Sequence, residues 1–337
     1  MKAARFEAVG QPLVLRDVPL PVLGGDEVLV QTRSCGICGT DLHILDGHGY
    51  VPHLPHILGH EPAGVVSAVG AGVHSLRVGD RVVPSLFFTC NECYYCRVGR
   101  HQQCAKLKGI LGVLSPGAFA EYFKAPAANL FLLPDSIPFE SGGLIADAVV
   151  TALHAGKRGL LMPGSASVVI GSGGVGLCLI QVLVAGGVRV AAVDVDAAKL
   201  SAARSCGAEV AFRSADAQTG LEEWSGADGV QCVYDCVGSK GSLGQACTAV
   251  MNGGRVVIIG EQEEHLPVTS TEIAQRELEI VGSRNGTRQD MVEAIRLVAS
   301  GKVRPLIAAR YPLEQVNEAI ERVRDGVVGR VVIDVGG

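Results

Sequence analysis

The chain has 337 residues, 48% of them hydrophobic and 19% charged, which is enough apolar content for two buried cores and excludes extensive disorder. A net charge of -5 and a pI near 6.0 argue against a nucleic-acid partner, which would need a basic face to displace counterions. Eleven cysteines in so large a chain, with no apolar run in MKAARFEAVGQPLVLRDV, read as reduced thiols of a cytoplasmic protein rather than a secreted disulfide framework.

The first 150 residues carry alternating runs, EVLVQTR (27–33), AGVVSAVG (63–70) and DRVVPS (80–85), broken by Pro and Gly. They predict an antiparallel, loop-heavy β domain. Within it, CGICGTDLH (35–43) sets Cys35 and Cys38 ahead of Thr40-Asp41, which read as a helix cap. The flanking glycines mark a strand-to-helix turn, where a thiol has a depressed pKa and makes a ready metal ligand; a C-x-x-C redox pair is the alternative. Next comes HLPHILGHEPAG (53–64), and five of the nine histidines fall between residues 43 and 60, too many for all to be ligands. His48, His53 and His56 read as solvated loop positions, with shaping of a pocket as the alternative.

Cys90, Cys93, Cys96 and Cys104 follow C-x2-C-x2-C-x7-C. Four thiolates on a short loop close a tetrahedral Zn²⁺ shell with no open position, so the site reads as structural. An iron–sulfur cluster is a second fit, weakened by the lack of a second such set, and His101 is a spare ligand that a full set of cysteines makes unnecessary. Arg97, Arg100, Lys106 and Lys108 are the only basic residues nearby, so the loop reads as a staple and not as a nucleic-acid finger.

From about Ala148 short apolar strands alternate with helices, which predicts a doubly wound parallel sheet. The stretch Gly159–Val188 carries no charge and is long enough to cross a bilayer, but its eight glycines and one proline divide it into strand, turn and helix. It reads as buried core, with no membrane partner. The turn is IGSGGVG, giving Gly171-x-Gly173-x-x-Gly176 with Gly174 and Val175 inside it. The first glycine allows the tight turn, the second the approach of a pyrophosphate, the third close helix–strand packing. Asp194 ends the next strand, where a carboxylate accepts the ribose hydroxyls and repels a 2′-phosphate; the expected cofactor is NAD. Lys199, in the helix that follows, is a further candidate cofactor contact. After Arg288 come an amphipathic helix, QDMVEAIRLVASG, a second, LEQVNEAIERVRDG, and the closing strand GRVVIDV. The expected divisions are 1–150, 151–288 and a returning segment 289–337.

CGICGTDLH, GHEPAG, the four-cysteine loop, DAVVTALHA, IGSGGVG and GRVVID occur in this order over nearly the whole chain. Together they resemble the zinc-dependent medium-chain alcohol dehydrogenases. That resemblance implies an α/β protein: a GroES-like β-rich catalytic domain joined to a doubly wound Rossmann domain, with the active site in the cleft between them. It implies a catalytic zinc held by Cys38, His60 and Asp147, with Glu61 able to bind transiently, and a second, structural zinc on the four cysteines. Asp147 departs from the cysteine of liver-type relatives and is similar to some microbial secondary-alcohol enzymes; on the residues alone it also reads as a helix cap. The resemblance implies that Thr40 touches the substrate oxygen, that His43 completes a proton relay, that Asp41 orients His60, and that Arg330 reaches the cofactor pyrophosphate. Tyr50, Leu86 and the loop near Leu111 would line the substrate pocket.

The implied activity is NAD-dependent oxidation of a small alcohol, slightly favouring secondary ones, to a ketone or aldehyde. Three protein ligands leave a Lewis-acid position open to the substrate oxygen, and hydride passes to the nicotinamide. Family relatives are dimers or tetramers. Two rivals remain: a zinc-free alkene or quinone reductase on the same fold, and a non-catalytic NAD-binding protein with a structural zinc.

Overall fold

A computed structural model describes residues 1–226, 229–262 and 265–336. The chain divides into two compact units. The first comprises Met1–Val150, Gly286–Gly301 and the segment from Ile307 onward; the second comprises Thr151–Asn285 and Lys302–Leu306. The division expected at residue 288 therefore moves to 285, and Arg288 belongs to the first unit. The returning segment is also interrupted, because Gln181 Oε1 accepts the Arg304 N–H at 2.8 Å and Gln181 Nε2 donates to the Arg304 carbonyl at 3.1 Å.

The first unit is built on a seven-stranded sheet. Its long strand, Glu27–Ile37, is buried along most of its length and extends past the EVLVQTR run through Cys35. Glu61–Val69 pairs antiparallel on one side, with Gly36 opposite Glu61. Arg330–Asp334 pairs antiparallel on the other, with Ile37 opposite Val331. This register carries Cys38, His60, Glu61 and Arg330 to one end of three adjacent strands. Gly36 is needed there, since a Cβ on it would collide with the Glu61 carboxylate and the Leu144 side chain.

Among the described residues, the second unit holds six parallel strands in the order Val210–Arg213, Arg189–Asp194, Ala166–Ile170, Val230–Asp235, Val250–Ile258, Glu279–Gly282. This is the doubly wound order, whose switch point falls between the strand before the glycine turn and Val230–Asp235. The core residues Val168, Val193, Val233 and Val256 are fully buried, and the uncharged stretch 159–188 ends up inside this unit. No helix among the described residues is long and apolar enough to cross a membrane. The strand Val210–Arg213 does not stand out in the sequence because it is short and lies at a sheet edge.

His56 departs from the solvated position expected for it. It pairs with Phe6 in a short strand and is 5% exposed, with Nε2 buried and without a hydrogen-bond partner. Burial pushes its pKa down to about 4, partly offset by a bond to the Gly112 backbone. Gly112 in turn packs so tightly on Gly59 and His60 that a Cβ would overlap them. His56 thus supports the turn that presents His60. Because its folded pKa lies below the ordinary 6.5, only the unfolded chain takes up a proton as pH falls through that value. This group should remove about 2 kcal/mol of stability between pH 7 and pH 5. Denaturant unfolding at the two pH values should show His56→Gln losing less stability than the parent; an equal loss would refute the assignment.

Candidate functional site

In the first unit, Cys38 caps the N-terminus of the helix Gly39–Leu45. The third helical residue, Asp41, is fully buried and turns back, its Oδ2 accepting the Cys38 N–H at 2.9 Å. Its Oδ1 lies 3.2 Å from His60 Nδ1 and accepts the Gly59 N–H at 3.3 Å. That contact orients the imidazole so that Nε2 faces Asp147, 3.9 Å from Oδ2. Cys38 Sγ lies 3.6 Å from the same oxygen. Asp147 does not cap a helix. It sits within a π-helical turn, Ile145–Val149, where the Val149 N–H reaches back to the Leu144 carbonyl at 3.1 Å. Such widened turns re-aim a side chain and recur at functional sites.

Donor atoms of Cys38, His60, Glu61 and Asp147 all lie within 4.8 Å of one another. The set offers one sulfur, one nitrogen and carboxylate oxygens, with a hydrogen-bonded imidazole, a combination that fits Zn²⁺. Arg330, assigned by resemblance to the cofactor pyrophosphate, is buried in this structure against the same donors. Its Nη2 lies 2.8 Å from Glu61 Oε1, 3.4 Å from Cys38 Sγ and 3.5 Å from Asp147 Oδ2. Burial pushes the Glu61 carboxyl up to about 7 while Arg330 pulls it down. Burial also disfavours the charged His60 ring, but Asp41 and Cys38 outweigh it and raise its pKa well above the usual value. A metal at Nε2 would therefore displace a proton.

Thr40 Oγ1 lies 3.9 Å from Cys38 Sγ, and His43 is exposed in the last turn of the same helix. Cys35 is fully buried and stands outside the converging donors, and burial pushes its thiol up, which disfavours the thiolate that a redox pair needs. Of the expected pocket positions, Leu86 and Leu111 are core, 3% and 0% exposed, whereas Tyr50 and, in the loop near Leu111, Leu114 present surface.

The four-cysteine loop folds around the short helix Tyr94–Arg97 and the turn His101–Gln103. All four thiols are free, with Sγ separations of 3.5 Å (Cys90–Cys104), 3.6 Å (Cys93–Cys96) and 3.9 Å (Cys90–Cys96 and Cys93–Cys104). A tetrahedron of sulfurs about 2.3 Å from Zn²⁺ has edges of about 3.8 Å, so these thiols fit that ion. Two backbone N–H groups, of Cys90 and Cys93, already point at sulfurs at 3.4 Å. His101 is not part of the set.

In the second unit Gly171 has φ +90°, a conformation that favours glycine, and a Cβ on Gly176 would overlap the Gly171 carbonyl oxygen. A Cβ on Gly173 would meet nothing within 4 Å, which leaves the approach to the N-terminus of Gly174–Ala185 open. Asp194 Oδ2 accepts the Ser172 N–H at 2.7 Å and Oδ1 the Asp196 N–H at 3.0 Å, tying the strand end to the glycine turn. Val175 and Lys199 are half-buried. These features fit a dinucleotide.

Residues 24–135 match the alcohol dehydrogenase GroES-like domain, and residues 174–300 match the zinc-binding dehydrogenase domain. An alcohol dehydrogenase of Geobacillus stearothermophilus is 36% identical over 99% of this chain and the whole of that protein. The chain belongs to the zinc-dependent medium-chain dehydrogenase family. A sorbitol dehydrogenase of Bacillus subtilis is 33% identical over 96% of this chain and 93% of its own length. The crystal structure of the alcohol dehydrogenase of Aeropyrum pernix superposes with a TM-score of 0.94 at 31% identity, covering 99% of this chain and all of that one. As a member of this family the protein is an oxidoreductase with a GroES-like domain and a parallel-sheet domain.

The Arg330–Glu61 pair lends itself to a direct test, because both groups are buried, 9% and 0% exposed. Arg330→Met leaves a buried carboxylate uncompensated and should cost about 3–5 kcal/mol in denaturant unfolding of the zinc-loaded protein. Adding Glu61→Gln should restore much of that loss; a double variant no more stable than the single one would contradict the pairing.

Proposed function

We propose that the protein is an NAD-dependent zinc alcohol dehydrogenase that oxidises a small alcohol to a ketone or aldehyde, favouring secondary alcohols. The observation that carries this reading is the convergence of Cys38, His60 and Asp147 beside an imidazole already oriented by Asp41. These three would hold the catalytic Zn²⁺, and Cys90, Cys93, Cys96 and Cys104 a structural one. When bound, the catalytic ion supplies Lewis-acid polarisation of the substrate oxygen. Cys38 and Asp147 together bring two negative charges, which balance the ion. Thr40 Oγ1 would accept the substrate proton as it gives up its own, and His43, exposed on the same helix, would complete the relay to solvent. Glu61 is kept in place by Arg330 as a reserve ligand. The glycine turn positions the pyrophosphate and Asp194 the ribose. A zinc-free reductase would have no use for the converging donors. Of the two edge strands of the parallel sheet, Glu279–Gly282 is the one to which a second copy would add in a homo-oligomer.

The test is NADH formation from NAD⁺ over a panel of primary, secondary, cyclic and polyol substrates, with metal content measured before and after chelation. Turnover should be abolished by the chelator and restored by Zn²⁺, and secondary alcohols should react fastest. Failure of every alcohol in a protein that holds zinc and binds NADH would refute the reading. Asp194→Gly should remove the repulsion of a 2′-phosphate and narrow the NAD over NADP preference, read as the ratio of kcat/KM values. An unchanged ratio would remove Asp194 from cofactor selection.

A further inference from the structure

Arg288 begins the helix Arg288–Ala299, in the stretch that rejoins the first unit, yet its side chain is directed at the four-cysteine lobe. Its Nη2 lies 3.4 Å from Oγ1 of Thr89, the residue before Cys90. Its charge is felt at Cys96, the most buried cysteine of the four, and at His101. The guanidinium is half-buried, its Nε is buried without a hydrogen-bond partner, and among the described residues no carboxylate pairs with it. One long contact to a hydroxyl is poor compensation for a desolvated cation, and burial pushes its pKa down. The neighbourhood therefore calls for an anion. The basic residues of the loop itself do not fill this role: Arg97, Arg100, Lys106 and Lys108 are exposed, and Lys106 is paired with Glu92 at 3.0 Å.

Four thiolates around one Zn²⁺ sum to a formal charge of two minus, which must be offset where the lobe is packed against protein. We infer that Arg288 is the counter-charge of the four-cysteine metal site, holding the ion there and fastening the lobe to the helix Arg288–Ala299. The inference rests on the reading of these cysteines as a zinc site. It makes Arg288 a positioning residue that acts through the thiolates.

The experiment is metal release from the fully loaded protein into a chromophoric chelator under native conditions. Cobalt substitution distinguishes the two sites, because a tetrathiolate site gives stronger sulfur-to-cobalt charge-transfer bands than a mixed sulfur, nitrogen and oxygen site. Arg288→Met should lose the tetrathiolate metal about 10–100-fold faster than the parent, matching the loss of metal affinity expected when a group supporting metal ligands is removed. The metal at Cys38, His60 and Asp147 should leave at the parent rate, and Arg288→Lys, which keeps the charge, should retain its tetrathiolate metal longer than Arg288→Met. If Arg288→Met does not fold, Arg288→Gln gives the same comparison with a polar stem. Release at the parent rate from the uncharged variant, or Arg288→Lys no better than Arg288→Met, would overturn the inference. Absence of tetrathiolate bands in the parent protein would instead overturn the metal assignment, and the inference with it.

Discussion

One fully buried carboxylate organises the candidate site. Asp41 accepts from the Cys38 N–H and the Gly59 N–H and fixes Nδ1 of His60. It thereby joins the N-terminus of one helix to a glycine turn and an imidazole that lie 18 and 19 residues further along the chain. A carboxylate so enclosed is tolerated only because each of these donors is present. In return it determines which imidazole nitrogen is left for a metal and where the Cys38 backbone lies. Without it the sulfur and the nitrogen would each have to be ordered at the moment of metal binding.

The other constraints serve the same end by steric means. Gly36 has no side chain because the Glu61 carboxylate and Leu144 lie across it; Gly59, Gly112 and Gly117 interlock with hardly any space between their backbones. Sheet register then brings Arg330 to the end of the strand beside Cys38, and its cation neutralises Glu61. The last donor arrives on a widened helical turn. An ordinary α-helix through residues 145–149 would rotate Asp147 relative to Cys38, so the local distortion is what allows a rigid helix to contribute a ligand.

What could be read from the sequence follows from how local each feature is. The four-cysteine spacing, the glycine turn with Asp194, and the Cys38–Thr40–Asp41 turn are each set within a few residues or one βαβ unit, and they are visible as motifs. The long-range partners are not. Arg330 meets Glu61 only through the pairing of two strands with Glu27–Ile37, and Arg288 meets the cysteine lobe only because the chain returns to the first unit after residue 285. His56 reads as loop because it stands among prolines and other histidines, whereas a two-residue strand and a backbone bond place it inside. The π turn left no sequence mark, since IADAV is compatible with any helix.

The two metal-ready sets differ in charge, and the difference fits their separate tasks. At Cys38, His60 and Asp147 the two anionic donors would balance a bound Zn²⁺, while Arg330 and Glu61 offset each other alongside. A site near neutrality keeps its ion electrophilic toward a substrate oxygen. At the four cysteines a bound ion would be over-neutralised, which suppresses electrophilicity and would suit a staple. The excess negative charge must then be met by the surrounding protein. The half-buried cation at the start of Arg288–Ala299, drawn from the far end of the chain, is the group positioned to meet it.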